Sequence, residues 1–314
     1  MIKILFVSSG NNKFGISPIV YNQGESIKKY DIHIDYFTIV GKGIFGYLKN
    51  VFLIRNKINN KYDIIHAHYS LSALATTLAS PNIPFVVSLM GTDSRMNIFW
   101  RMLIKICYLA FWDHTIVKSK SMKESLHLNK ASVIPNGVNL EKFELRDKLE
   151  MRKKLGLLEN NKYILFFSNP ERPEKNFSLA KNAVNNLKDD SIILLPIFDK
   201  KHSEAIEYLY ASDILLMTSL WEGSPNAIKE AMACNLPIVS TDVGDVKWLI
   251  DGVDGCYLTS FDPNDVAEKI KLSLNFSDKV GRTKGRERII QLGLDSDTIA
   301  KKIIEVYNSV IKND

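Results

Sequence analysis

Eleven short runs rich in β-branched and other apolar residues recur along the chain, each separated from the next by a stretch of helical pattern. The first series comprises Lys3–Ser9, His33–Ile39, Asp63–Ala67, Phe85–Leu89, Thr115–Val117 and Ser132–Ile134. The second comprises Tyr163–Phe167, Ile192–Pro196, Ile214–Met217, Ile238–Ser240 and Cys256–Leu258. Strands alternating with helices are βαβ units, and these build parallel sheets. A polar stretch divides the two series, so the chain is expected to be α/β, with two doubly wound, Rossmann-like domains facing across a cleft. Pro135-Asn136-Gly137 supplies turn chemistry at the junction. A charged segment follows, helical at Leu149–Leu155. The expected domains are therefore 1–140 and 141–298. A terminal helix over 299–314, capped by Asp295-Ser296-Asp297-Thr298, is expected to return to the first.

The formal charge of +6 hides a split. Residues 1–140 carry +9 and the remainder −3, so the first domain favours something anionic. Nucleic acid is disfavoured because aromatic residues do not interleave with the Lys/Arg as a stacking platform requires. Three widely spaced cysteines, Cys107, Cys234 and Cys256, fit neither a disulfide framework nor a zinc cluster and suggest a reducing compartment. The apolar run in Met1–Ser9 is too short for a secretory leader and reads as a buried first strand. Met96–Trp112 is the most apolar segment, but Arg101 and Lys105 interrupt it. As a helix it would span about 25 Å, short of the roughly 20 apolar residues that cross a bilayer. A core helix with a charged stripe is the first reading, a membrane-surface helix the alternative.

The most informative motif is Trp221-Glu222-Gly223-Ser224-Pro225-Asn226-Ala227-Ile228-Lys229-Glu230, which follows a strand and opens a helix. Ser224 suits the N-cap and Pro225 the first helical position. The amides of Asn226, Ala227 and Ile228 would then offer an anion site backed by the helix dipole. Glu230, one turn on, can take the vicinal hydroxyls of a ribose, and Glu222 can reach a polyhydroxylated group beyond the phosphates. A diphosphate flanked by two carboxylates describes a nucleotide-sugar.

Together with Ala231–Gly244, the two glutamates resemble family 4 retaining glycosyltransferases, which have the two-domain GT-B architecture. Lys13-Phe14-Gly15, His66-Ala67-His68-Tyr69-Ser70, Gly91-Thr92-Asp93, Ile134–Val138 and Met217-Thr218-Ser219 are similar to landmarks of the same family. The resemblance implies that Glu222 contacts the transferred sugar, Glu230 the ribose and Asn226–Ile228 the phosphates. It also implies Gly15 beside the donor diphosphate, Thr218 in the nucleotide pocket and His68 at the donor sugar. His66 and His68 are read as facing opposite ways, with His68 the one that reaches the ligand. In Glu171-Arg172-Pro173-Glu174-Lys175-Asn176 the family's lysine falls on Lys175. Its arginine has no counterpart at the usual spacing, where Pro170 stands, and Arg172 is the nearest guanidinium.

Two other patterns are decoys. Gly41-Lys42-Gly43-Ile44-Phe45-Gly46 matches a dinucleotide fingerprint, but it follows a second strand and lacks the acid about 20 residues on. It is read as an acceptor-side loop, placing Lys42 there with Asp93. Asp295-Ser296-Asp297 mimics a metal-binding Asp-x-Asp, and capping explains it. No metal and no other cofactor is expected. The resemblance implies a retaining hexosyltransferase of cell-surface polysaccharide synthesis, with a UDP- or GDP-sugar donor and a glycan or lipid-linked acceptor. Lys42, Lys49, Arg55, Lys57 and Lys61, beside Ile44, Phe45, Leu48 and Phe52, suggest a cytoplasmic protein peripheral at the inner face of an anionic membrane. The alternatives are a nucleotide-sugar 2-epimerase of the same fold and a non-catalytic binder.

Overall fold

The computed structural model describes residues 1–11, 13, 15–41, 43–58, 61–79 and 82–312. Lys42 lies outside the described residues. The described strands are β1 (Ile2–Ser9), β2 (Ile32–Ile39), β3 (Ile64–His68), β4 (Phe85–Ser88), β5 (His114–Val117), β6 (Ser132–Val133), β7 (Lys162–Phe166), β8 (Ile192–Pro196), β9 (Ile214–Met217), β10 (Ile238–Thr241) and β11 (Cys256–Thr259). Each lies within one residue of its expected bounds. The first sheet runs β2-β1-β3-β4-β5-β6 and the second β11-β10-β9-β7-β8, with every pairing parallel. Both are doubly wound α/β sheets.

The chain divides into two compact units, residues 1–137 with 296–314, and residues 138–295. In the first, Ile4, Leu5, Phe6 and Val7 are consecutive and all buried, as a strand covered by helices on both faces requires. The helix Ser296–Ile311 belongs to this unit and packs on the helix Pro18–Lys28. The Tyr307 hydroxyl lies 2.6 Å from Nδ1 of His66, and the Tyr30 hydroxyl donates to Asp297 at 2.5 Å. Lys301 sits 3.2 Å from the same Asp297 carboxylate, so half of the Asp-x-Asp pattern is engaged within this helix packing.

The helix in Met96–Trp112 is Ile98–Ala110, and the core reading holds for one face only, Ile104 and Cys107 with Leu103 and Tyr108 against them. Only Ile104 and Cys107 of this helix are buried, whereas Ile98 is 78% exposed and Leu109 71%. Its apolar residues exceed the one stripe that the sheet can cover.

The second unit is held by a buried ion cluster. Asp213, immediately before β9, accepts from Arg152 at 2.6 Å, Lys148 at 2.9 Å and the Tyr163 backbone amide at 2.7 Å. Arg152 spends its remaining donors on the carbonyls of Ala211 and Glu159. The described cysteines are all free thiols.

Candidate functional site

In a doubly wound sheet, ligands bind outside the carboxyl ends of the strands where the order reverses. In the second unit that point lies between β7 and β9. The loop after β7 carries Lys175 on a short 3-10 turn, Pro173–Lys175, and the loop after β9 carries Glu222. The Lys175 ammonium stands 2.5 Å from Glu222 Oε1, and the Ser219 hydroxyl donates to the same oxygen at 2.8 Å. The pair is still accessible, with side-chain exposures of 16% and 15%.

Thr218 turns its hydroxyl to the backbone beneath the two loops. It is fully buried, and its hydroxyl donates to the carbonyls of Lys175 (3.1 Å) and Asn176 (3.0 Å), which ties one loop to the other. The Leu220 amide adds a bond to the Glu174 carbonyl at 2.8 Å. Arg172 turns to Glu174 instead, with Nε 2.8 Å from Oε1 and the side chain about half exposed. Of the two expected cations, only Lys175 joins Glu222.

The helix after Glu222 is Asn226–Ala233, starting one residue later than expected. Pro225, at ψ 120°, is extended and occupies the cap, and Ser224 makes no capping bond. The first intrahelical amide to find a partner is Lys229, to the Pro225 carbonyl. The amides of Asn226, Ala227 and Ile228 precede it and form the positive end of the helix. Gly223 is buried where the chain turns toward this end. Its carbonyl lies 2.4 Å from where a Cβ on Gly244 would stand, at φ 64°, so only glycine fits at 244.

Several site residues escaped the sequence reading. His202, at the start of the helix His202–Ala211, sits with Nε2 3.0 Å from Glu230 Oε1. Lys229 is fully buried under the loop, 3.2 Å from the Ser224 hydroxyl. Burial pulls its ammonium down to about 8 and pushes the Asp245 carboxyl up. A lysine on an amphipathic helix reads as a solvated face, and nothing local marks this one as buried. Ser219 was visible only as part of the pre-glutamate loop.

In the first unit the order reverses between β1 and β3. A hollow of about 490 Å³ opens there, lined by Ser9, Ser17, Tyr69, Ser70, Thr92 and Asp93 among others. Asp93 is buried and accepts from the Ser70 hydroxyl (2.7 Å) and the Met90 amide (2.7 Å). Burial pushes its carboxyl up. Tyr69 holds φ 69° and ψ 146°, a region nearly reserved for glycine, at the end of β3. Gly15, after β1, has φ 80°.

The histidine expectation is corrected. Residues two apart on a strand share a face, and the rings of His66 and His68 stack at 4.3 Å. His66 is satisfied by Tyr307 and by Ser88 at 2.8 Å. His68 is fully buried against Phe6, with no hydrogen-bond partner for either ring nitrogen. Burial holds both imidazoles well below the ordinary histidine value.

A family model described as Glycosyltransferase Family 4 matches residues 17–142, and one described as Glycosyl transferases group 1 matches residues 169–275. The chain belongs to the family 4, group 1 glycosyltransferases. It is 28% identical to the putative teichuronic acid biosynthesis glycosyltransferase TuaC of Bacillus subtilis, over 60% of this chain and 55% of the relative. It is 25% identical to a UDP-Gal:alpha-D-GlcNAc-diphosphoundecaprenol alpha-1,3-galactosyltransferase of Escherichia coli, over 81% of this chain and 74% of that one. The chain thus spans about half the length of the first relative and about three quarters of the second.

Among solved structures, sucrose-phosphate synthase from Thermosynechococcus elongatus superposes with a TM-score of 0.80 at 16% identity, covering 100% of each chain. Anabaena Alr3699/HepE in complex with UDP and glucose gives 0.77 at 18%, covering 98% of this chain and 100% of that one. These likenesses establish the fold.

Within this family member the His202–Glu230 pair gives a pH signature. The hydrogen bond that His202 donates to the Glu230 carboxylate raises the imidazole above its ordinary value. Its contribution is therefore complete below about pH 6.5, the unfolded value, and is lost as pH rises through the folded one. Denaturant titrations at pH 6 and pH 9 should show His202→Gln costing about 1 kcal/mol at the lower pH and less at the higher. An equal cost at both would rule out the ion pair.

Proposed function

We propose that this chain is a retaining, metal-independent glycosyltransferase that moves a sugar from a nucleoside-diphosphate sugar to a lipid-linked glycan acceptor. The observation that carries this reading is the Lys175–Glu222 contact of 2.5 Å at the switch point of the second unit, beside the helix end at Asn226–Ile228. In this reading the amides and Lys175 stabilise the negative charge that develops on the leaving diphosphate. Glu222 positions the sugar, and Glu230, oriented by His202, takes the ribose hydroxyls. The bond from the sugar's anomeric carbon to the phosphate oxygen breaks, and a bond to the acceptor oxygen forms on the same face. The acceptor proton passes to the released diphosphate.

The first unit takes the acceptor, its hollow at Asp93 receiving the polar end. A lipid-linked acceptor fits the relatives named for diphospho-undecaprenol substrates, from Escherichia coli and Campylobacter jejuni. Incubation with UDP- or GDP-sugars and an undecaprenyl-diphosphate-linked sugar tests it. The expected result is nucleoside diphosphate released only when acceptor is present, with an α-linked product. Conversion of the donor alone would instead indicate a 2-epimerase.

We further propose that the protein works at an anionic bilayer. No helix among the described residues is long and apolar enough to cross a membrane. The helix Gly43–Ile58 exposes Phe45 (81%) and Phe52 (74%) beside the exposed Lys49, Arg55 and Lys57. The helix Ile98–Ala110 exposes Phe99 and Met102. Each cation near an anionic leaflet is worth about 1 kcal/mol. Co-sedimentation with phosphatidylglycerol vesicles at low salt should recover most of the protein, and Phe52→Glu with Phe99→Glu should leave it in the supernatant. An absence of wild-type binding at low salt would sink the membrane version.

A further inference from the structure

Beside the polar hollow of the first unit lies a second cavity of about 490 Å³, within the range of roughly 300–1,000 Å³ typical of small-molecule sites. Its walls are apolar: Leu74 and Leu78 from the helix Ser70–Leu78, Leu48 from Gly43–Ile58, and Trp100 and Ile106 from Ile98–Ala110. Thr77 adds a hydroxyl, but that group is already spent, donating to the Ala73 carbonyl at 2.9 Å and accepting from the Trp112 indole at 3.0 Å. Such a surface offers a sugar little to bond with and suits hydrocarbon. Tyr47 and Leu71 line both this groove and the polar hollow, so the two adjoin across these side chains. From Leu71 to Leu78 the helix advances about 10 Å, carrying the groove away from Asp93 and between the two helices that expose Phe45, Phe52, Phe99 and Leu109.

We propose that this groove seats the first part of the hydrocarbon chain of the lipid-linked acceptor, with the hydroxyls of its sugar toward the hollow at Thr92 and Asp93. The proposal rests on the acceptor reading above and names its substrate class: a single-chain lipid diphosphate. Lys49 and Lys105, exposed on the two helices that flank the groove, supply positive charge for an anionic lipid. The exposed phenylalanines meet the bilayer, and the groove between them gives one chain a path out of it.

The test is calorimetric binding of farnesyl diphosphate and dimethylallyl diphosphate to the whole chain without vesicles, below micellar concentrations. The two probes share a head group and differ in hydrocarbon length. Farnesyl diphosphate is expected to bind at least about tenfold more tightly. Leu74→Trp, which fills the groove, should reduce that preference to about threefold or less without weakening the shorter ligand. Leu78→Glu, at a position 59% exposed, serves as the second variant and should do the same. Equal affinity of the two probes for the wild type, or an unchanged preference in both variants, overturns the groove. If the wild type transfers sugar to a lipid-linked acceptor yet shows no chain-length preference, the groove fails and the function stands. A chain-length preference in a protein that glycosylates no lipid-linked acceptor overturns the function, and with it the assignment of the groove to an acceptor.

Discussion

Lys175→Ala is expected to lower kcat by about 10²–10³, the loss seen when one preorganised charge-stabilising donor is removed. The ammonium reaches the site from the loop after β7, and Glu222 comes from the loop after β9, so the contact depends on both loops. Glu222→Gln keeps the side chain's length but loses the charge that anchors Lys175. It is expected to cost about 10²-fold through misplacement of sugar and cation together. Glu222→Gln should disturb folding little, because the carboxamide oxygen can still accept from Lys175 and from the Ser219 hydroxyl. Release of nucleoside diphosphate in the presence of acceptor measures both variants, and thermal melts separate activity from stability. If Glu222→Gln kept near-full transfer while Lys175→Ala abolished it, Glu222 would not position the sugar.

Asp213→Ala should be the most damaging single change to stability, at about 3–5 kcal/mol, because it leaves buried cationic charge uncompensated. Arg152 is almost wholly buried, and its guanidinium is fixed by two carbonyls that cannot follow it elsewhere. The Tyr163 amide also loses its acceptor at the start of β7. Because the loops after β7 and β9 carry the candidate site, weakening the joint between these strands should reduce activity together with stability. Urea unfolding followed through the second unit's transition checks this. A cost under about 1 kcal/mol would mean that water replaces the carboxylate and that the cluster is not truly dry.

Much of the fold was legible because strands and turns are written in chain-adjacent residues. The runs at Ile192–Pro196 and Ile214–Met217 are apolar throughout and keep their positions in the structure, the second as a central strand buried on both faces and the first as a half-buried edge strand. The motif from Glu222 to Glu230 was equally readable, since a loop, a proline and a helix start are local. Its exact start was not: Pro225, at ψ 120°, sits in the cap, next to a loop whose Gly223 packs against Gly244 from the loop after β10. The burial of Lys229 and of the stacked His66 and His68 depends likewise on what covers them.

By itself the sequence determined two series of βαβ units, a basic and a slightly acidic half, and the order in which the site's residues occur. Only the tertiary structure decided that Thr218 turns to backbone carbonyls and Arg172 to Glu174 while Lys175 meets Glu222, and that the helix Ile98–Ala110 leaves many apolar residues exposed. The reason is that strand order is not a local property. Placing β7 beside β9, with β8 outside, closes a separation of 47 residues to a single 2.5 Å contact, and no periodicity in the chain records that choice.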